Sequence, residues 1–253
     1  MKAIVFLGPT LPLAEAAEIF DATYRGPAAQ GDVLLAIRDR PNAIGIVDGY
    51  FERIPAVWHK EVLAALIAGI HVFGAASMGA LRAAELATFG MQGVGEIYEA
   101  FRDGVLEDDD EVAVAHGDES TGFRQHSEPM VNIRSTLREA TAQGVLTESE
   151  AGELVRQVKA LFYPDRSYHA VVEAARELGF SSQKTAQLAN FVGARAVNQK
   201  RADAIQMLRV MREGFQAGVT APKARFHFAH TEAWQAMVNR ANADVRGKKP
   251  SEG

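Results

Sequence analysis

The 253-residue chain carries 27 Lys and Arg against 32 Asp and Glu, a net charge of −5, with 47% apolar and 23% charged residues. That composition suits one large or two small globular domains with a sizeable core, and no apolar run approaches the roughly 20 residues that span a bilayer. Cysteine is absent, which excludes disulfides, thiolate metal sites and a cysteine nucleophile, and a cytoplasmic location fits.

The charge is unevenly spread. Residues 1–180 hold 15 basic against 27 acidic side chains, and residues 181–253 hold 12 against 5. A basic C-terminal surface suits an acidic partner or a nucleic acid, and equally the solvated faces of an ordinary protein.

In chain order, residues 3–7 form an apolar run too short for a signal-peptide core and interrupted by Pro9 and Pro12, so they read as a first buried strand. Further short apolar runs at 33–37, 44–47, 71–74 and 112–115 read as strands buried on both faces. Helical patterns lie between them at 13–20, 58–68, 79–88 and 95–103. The alternation predicts an α/β fold, a Rossmann-like doubly wound and mostly parallel sheet. The acidic run 107–111 reads as a solvated turn before the last strand. From about Met130 the pattern becomes helical throughout: 137–143, 148–162 with a Thr147/Glu150 capping-box spacing, 168–178, 182–191 and 195–215. Residues 178–191 loosely resemble a helix-turn-helix. After Asn239 the apolar residues thin out, which predicts a frayed tail. The expected division is an α/β domain over 1–127 and an all-helical extension over 128–253.

The chemistry concentrates at Gly74-Ala75-Ala76-Ser77-Met78-Gly79-Ala80-Leu81-Arg82-Ala83-Ala84-Glu85. Small residues flank Ser77 where a strand turns into a helix, the layout of a nucleophile elbow. The first-turn N–H groups of that helix would favour a carboxylate or an oxyanion. A serine needs a base. Asp48 and His116 each follow a predicted strand and could converge with Ser77 at the carboxyl edge of the sheet, bordered by Gly8. Beside this stands a plainer reading: Ser77 as a helix N-cap, Asp48 as a turn residue and His116 as a hydrogen-bonded strand-end histidine. Arg82 and Glu85 lie three apart on the helix, where they face either the crevice or each other. Asn132 and Arg134 sit where the two regions join and could close over the site. No metal site is expected from His116, Asp118 and Glu119, since adjacent residues on a turn rarely complete one. No nucleotide-binding glycine motif is present, and no cofactor is expected.

The blocks Phe6-Leu7-Gly8-Pro9-Thr10, Ile46-Val47-Asp48-Gly49, Phe73 to Glu85, Gly90-Met91, Gly93, Gly95, Ile97-Tyr98 and Val114-Ala115-His116 resemble the TfuA-like family over about residues 1–135. The resemblance implies partnership with a YcaO enzyme, which uses ATP to replace a backbone amide oxygen with sulfur. It also implies hydrolysis of the Gly-Gly thiocarboxylate of a ThiS-like sulfur carrier to supply sulfide. Asp48, Ser77, Arg82, Glu85 and His116 match motif positions. A crevice lined by Gly74, Ala75, Ala76, Met78 and Gly79 would admit a Gly-Gly tail, with Arg82 pairing the thiocarboxylate. The alternatives are a non-catalytic adaptor that brings the carrier to YcaO and a nucleic-acid-binding regulator. Nothing in the sequence fixes the oligomeric state.

Overall fold

The computed structural model describes residues 2–247 except Arg53 and Val219, with side chains as far as Ala243. Five parallel strands form one sheet in the order β2-β1-β3-β4-β5: β1 Ala3–Phe6, β2 Thr23–Arg25, β3 Ala43–Ile46, β4 His71–Ala75 and β5 Gln92–Val94. Among the described residues eleven α-helices accompany them: α1 Leu13–Ile19, α2 Asp32–Arg38, α3 His59–Ile67, α4 Met78–Leu86, α5 Glu96–Arg102, α6 Met130–Ala142, α7 Glu148–Lys159, α8 Tyr168–Glu177, α9 Ser182–Arg195, α10 Gln199–Ala217 and α11 Glu232–Gly247. This is the doubly wound α/β sheet with a helical C-terminal part that the alternation predicted. The order reverses between β1 and β3, and such sheets bind ligands beyond the strand ends at that switch point.

Side-chain alternation assigns the two faces. Ile4, Phe6, Ile44, Ile46 and Val72 pack with Val33 and Ala36 of α2, Val62 and Ala65 of α3, and Ala83 and Leu86 of α4. Ala3, Val5, Phe73 and Ala75 face the other way, onto Ala16 of α1 and Ala204, Met207, Leu208 and Met211 of α10. Helices α6 to α9 build a separate cluster around Ile133, Leu137, Leu154, Val171 and Leu188. Helix α10 therefore leaves the helical half of the chain and returns to cover the sheet.

Two predicted strands are corrected. Residues 33–37 are helical: Gly31 at φ 99° breaks the chain, the Glu61 carboxylate accepts from Gly31 N at 2.8 Å and Leu34 N at 3.3 Å, and only Val33 and Ala36 face the core fully. A short apolar run does not distinguish the two structures by itself. Residues 112–115 join no sheet, because their backbone is spent on side chains. Val112 O accepts from Lys200 Nζ at 2.9 Å, and Ala115 N donates to Ser127 Oγ at 2.9 Å. The strands actually completing the sheet are the three-residue β2 and β5.

The acidic run is a clamp rather than a solvated turn. Glu111, 3% exposed, takes a bidentate pair from Arg134 at 2.8 and 2.9 Å. Asp110 receives the buried Arg166 guanidinium at 2.6 Å and the Lys159 ammonium. Helix α11 continues to Gly247 past the point where fraying was expected, held by buried Trp234, Met237 and Ala241 on one face. The remaining tail, 248–253, lies outside the described residues.

Two glycines bring β3, α4 and β4 into backbone contact. A Cβ on Gly79 would lie 1.7 Å from Ile46 O, and one on Gly74 would lie 2.1 Å from Gly79 O. Neither backbone can yield. A Cβ on Gly45 meets only Met211 Sδ at 2.9 Å and Met207 Cε at 3.0 Å, the ends of flexible side chains. Gly79→Ala should therefore cost at least ~3 kcal/mol in urea denaturation, whereas Gly45→Ala should stay within ~1 kcal/mol of the parent, since alanine gains in strand entropy what it loses in repacking.

Asp203 on α10 accepts from Ile97 N at 2.8 Å and Gln199 Nε2 at 2.8 Å, capping α5. Burial raises its carboxyl from 3.8 to about 6, against those hydrogen bonds. The folded chain thus binds more protons than the unfolded chain between those values, and stability falls as pH rises through that window. Two units correspond to about 3 kcal/mol. Asp203→Asn should shrink the loss of stability between pH 4 and 7 by a large part of that amount in denaturation curves. Glu61 and Glu128, also raised by burial, leave a residual slope.

Candidate functional site

Ser77 is reached through a strained turn. The chain leaves β4 at Ala75, Ala76 takes φ 65°, and Ser77 N donates back to Ala75 O at 2.7 Å. That three-residue turn with positive φ at a non-glycine is rare and costs roughly 1–3 kcal/mol. It reverses the backbone so that helix α4 begins at once with Met78. Ser77 is the N-cap residue, but its side chain makes no cap bond, so the plain capping role does not account for it. Its hydroxyl points inward. Oγ lies 3.0 Å from Nζ of Lys200, the second residue of α10.

Lys200 is 2% exposed, and its other hydrogen bond goes to Val112 O. Burial pushes its ammonium down from the ordinary 10.5, while the Asp48 and Glu128 carboxylates pull it back up. Its backbone is pinned as well, since Lys200 N donates to Asn132 Oδ1 at 3.1 Å and Asn132 Nδ2 donates to Glu128 Oε1 at 2.7 Å. Asn132 thus anchors the lysine rather than closing over the cleft, and Arg134 is engaged with Glu111.

Asp48 follows β3, next to the switch point. Its carboxylate accepts from Gly8 N at 2.9 Å, Thr10 N at 3.1 Å and Thr10 Oγ1 at 2.6 Å. It ties the loop after β1 to the loop after β3, and its negative charge faces Lys200. A Cβ on Gly8 would come within 2.4 Å of Pro27 Cγ, which explains a glycine there.

Ser77 and Asp48 line a cleft of about 390 Å³ together with Pro9, Tyr50, His116 and, from the helical half, Tyr163 and Pro164. His116 stands on a loop excursion tied at its base by His126 N to Ala115 O at 2.8 Å and Gly117 N to Arg124 O at 2.9 Å. Its ring packs near Tyr50 and Phe123, with Nδ1 2.7 Å from Gly117 O. The structure therefore gathers Asp48, Ser77 and His116 around one cleft without linking them in a relay. The hydrogen-bond partner of Ser77 is Lys200, and those of Asp48 are Gly8 and Thr10.

Other expected substrate contacts lie elsewhere. Gly74 and Gly79 serve backbone packing; Ala75 and Ala76 are fully buried, and Met78 packs over Gly49. Arg82 donates to Val57 O at 2.8 Å and to Glu85 at 2.7 Å, and Glu85 also meets His59. Both charges are used on the α3 side of α4, away from the cleft. The acidic group Asp108, Asp110 and Glu111 could hold a cation by geometry, yet Lys159, Arg134 and Arg166 already neutralise it.

Lys200 escaped the sequence reading, although a signal existed. Lys200, Asp203, Ala204, Met207, Leu208 and Met211 recur at the spacing of one helical stripe, and all are buried. A lysine on the apolar stripe of an amphipathic helix is a buried charge with a partner to be found.

The described residues contain no helix long and apolar enough to cross a membrane. No curated protein matches the chain significantly. The family model described as TfuA-like protein matches residues 48–167, from Asp48 through Ser77 and His116 to the helical wall of the cleft, and over that region the chain is TfuA-like.

Proposed function

We propose that this protein hydrolyses the C-terminal thiocarboxylate of a ThiS-type sulfur carrier and so supplies sulfide to a YcaO enzyme that thioamidates peptides. The observation that carries this reading is Ser77. A strained turn places the residue in the wall of a cleft, with its hydroxyl bonded to a buried amine instead of capping its own helix. Strain held at a functional turn is a common device for exposing a nucleophile.

The carrier's flexible glycine tail enters the cleft beside Pro9 and Gly49. Ser77 Oγ attacks the thiocarboxylate carbon. The amide of Met78, the first of α4 and without a backbone acceptor in the preceding turn, faces the charge that develops on oxygen. Collapse of the adduct breaks the C–S bond and releases hydrosulfide, leaving the carrier acyl group on Ser77. Water then cleaves that ester. His116 suits this step: Nδ1–H donates to the Gly117 carbonyl, so in the neutral ring Nε2 keeps its lone pair for the water proton. The overall change converts a thiocarboxylate and water into a carboxylate and hydrogen sulfide. Ile54, 40% exposed at the mouth, and Phe162, 60% exposed against Tyr163, offer the carrier an apolar seat.

The basic C-terminal side chains lend little to a nucleic-acid role. Lys200 is buried, Arg201 pairs with Glu15, Lys184 with Glu150, and Arg195 bonds Gln143.

Ser77→Ala should lower sulfide release from purified carrier thiocarboxylate by at least ~100-fold in kcat with carrier binding retained. Folded wild-type protein that binds the carrier and releases no sulfide would instead identify an adaptor.

A further inference from the structure

The excursion that carries His116 is built as a small unit of its own. It leaves the body at Ala115 and returns at Ser127, and the two ends are tied side by side. His126 N donates to Ala115 O at 2.8 Å, and Ala115 N donates to Ser127 Oγ at 2.9 Å. Ala113 and Ser127 are buried, so the base is fixed. Above the base the chain folds on itself. Gly117 N donates to Arg124 O, and Thr121 N and Phe123 N both donate to Asp118 O. Packing inside the excursion is tight enough that a Cβ on Gly117 would fall 2.1 Å from Thr121 Oγ1. Among the described residues, every hydrogen bond made by 116–125 ends within 115–127.

Rings attach this unit to the body. Phe123 has φ 57° and follows Gly122 at φ 64°, so a bulky residue is held in the left-handed region. That turn brings its ring onto Gly26, in the link between β2 and α2, where a Cβ would lie 3.0 Å from Cζ and 3.6 Å from Cε2. His116 packs near Tyr50 with ring centres 5.9 Å apart, and Phe123 meets His116 edge-on at 6.0 Å.

Resting on the reading of Ser77 as nucleophile and His116 as the base of the second step, we infer that residues 116–125 are a hinged lid. Phe123 is its latch, and closure of the lid sets His116 at the acyl-serine. A unit bonded only to itself swings about Ala115 and Ser127 without breaking a hydrogen bond, giving up only the ring contacts. His116, Gly117 and Asp118 of the lid form one side of the cleft that Ser77 also lines. An open lid admits the tail of a folded carrier, and a latched lid holds the imidazole still for hydrolysis. In that step water adds to the acyl carbon, His116 takes the water proton, the ester C–O bond breaks and the proton returns to Ser77 Oγ. Phe123 acts through His116 and is a positioning residue.

The chain contains no cysteine, so Glu119→Cys on the lid and Glu18→Cys on the exposed side of α1 give a spin-label pair in the full-length protein. The parent pair should show one narrow distance. Phe123→Ala removes the latch and Gly26→Val fills its seat from the other side, and each should broaden that distance. Mixed with thiocarboxylated carrier, both variants should still release about one equivalent of sulfide in a burst. Steady turnover should then run ~10- to 100-fold below the parent while acyl-protein accumulates. Phe123→Met, which still fills the seat, should recover most of the rate. A single narrow distance in both variants would overturn the inference. Equal losses of burst and steady rate, the mark of a merely structural role, would overturn it too. Broadened distances in variants whose parent releases no sulfide would keep the lid and refute the hydrolytic reading.

Discussion

A parallel sheet has to be covered on both faces, and here one of the covers comes from the far end of the chain. The loops between β1 and β5 supply α2, α3 and α4 to one face, but mainly α1 to the other. Helix α10 fills the gap by laying Ala204, Met207, Leu208 and Met211 on Val5, Phe73 and Ala75. The same docking drives the first turn of α10 under the elbow after β4, which puts Lys200 behind Ser77 and Asp203 under α5. The site is therefore a product of core packing between segments more than 120 residues apart in sequence.

That packing carries an electrostatic cost. Two ionisable side chains enter the interior on the apolar stripe of α10, and burial acts on them in opposite senses, lowering Lys200 and raising Asp203. Asp203 is used structurally, since its hydrogen bonds cap α5 and fix the position of Gly95, where a Cβ would fall 2.3 Å from its carboxyl carbon. Lys200 has only one backbone partner and a serine hydroxyl. Asp48 links the two regions. It locks the loops at the switch point with three hydrogen bonds and contributes the negative charge that Lys200 senses.

The sequence displayed the strand-turn-helix around Ser77 clearly, because apolar strand, small residues and helical stripe follow one another without ambiguity from His71 to Leu86. Asp48 was legible for the same reason. The fold class followed from the alternation even though residues 33–37 and 112–115 were misread. In the first, a seven-residue helix shows too few turns to display its period; in the second, a strand-like run has its backbone claimed by Lys200 and Ser127. The edge strands β2 and β5 are three residues each and only partly buried, so they carry no pattern. Arg82 and Glu85 looked like substrate contacts by proximity in sequence, yet one helical turn past the elbow already faces α3. Lys200 was hidden in a count of basic residues, where its place on a buried stripe was the informative property.

The most direct test of Ser77 as the nucleophile is to look for the covalent intermediate it must form. Wild-type protein would be mixed with excess thiocarboxylated carrier, quenched in acid within the first turnover, and weighed intact. The account predicts a species with the combined mass of both chains less one hydrogen sulfide, mapping to a peptide containing Ser77. Sulfide released in a full burst with no such adduct at any time would contradict it and leave Ser77 as a positioning residue for water.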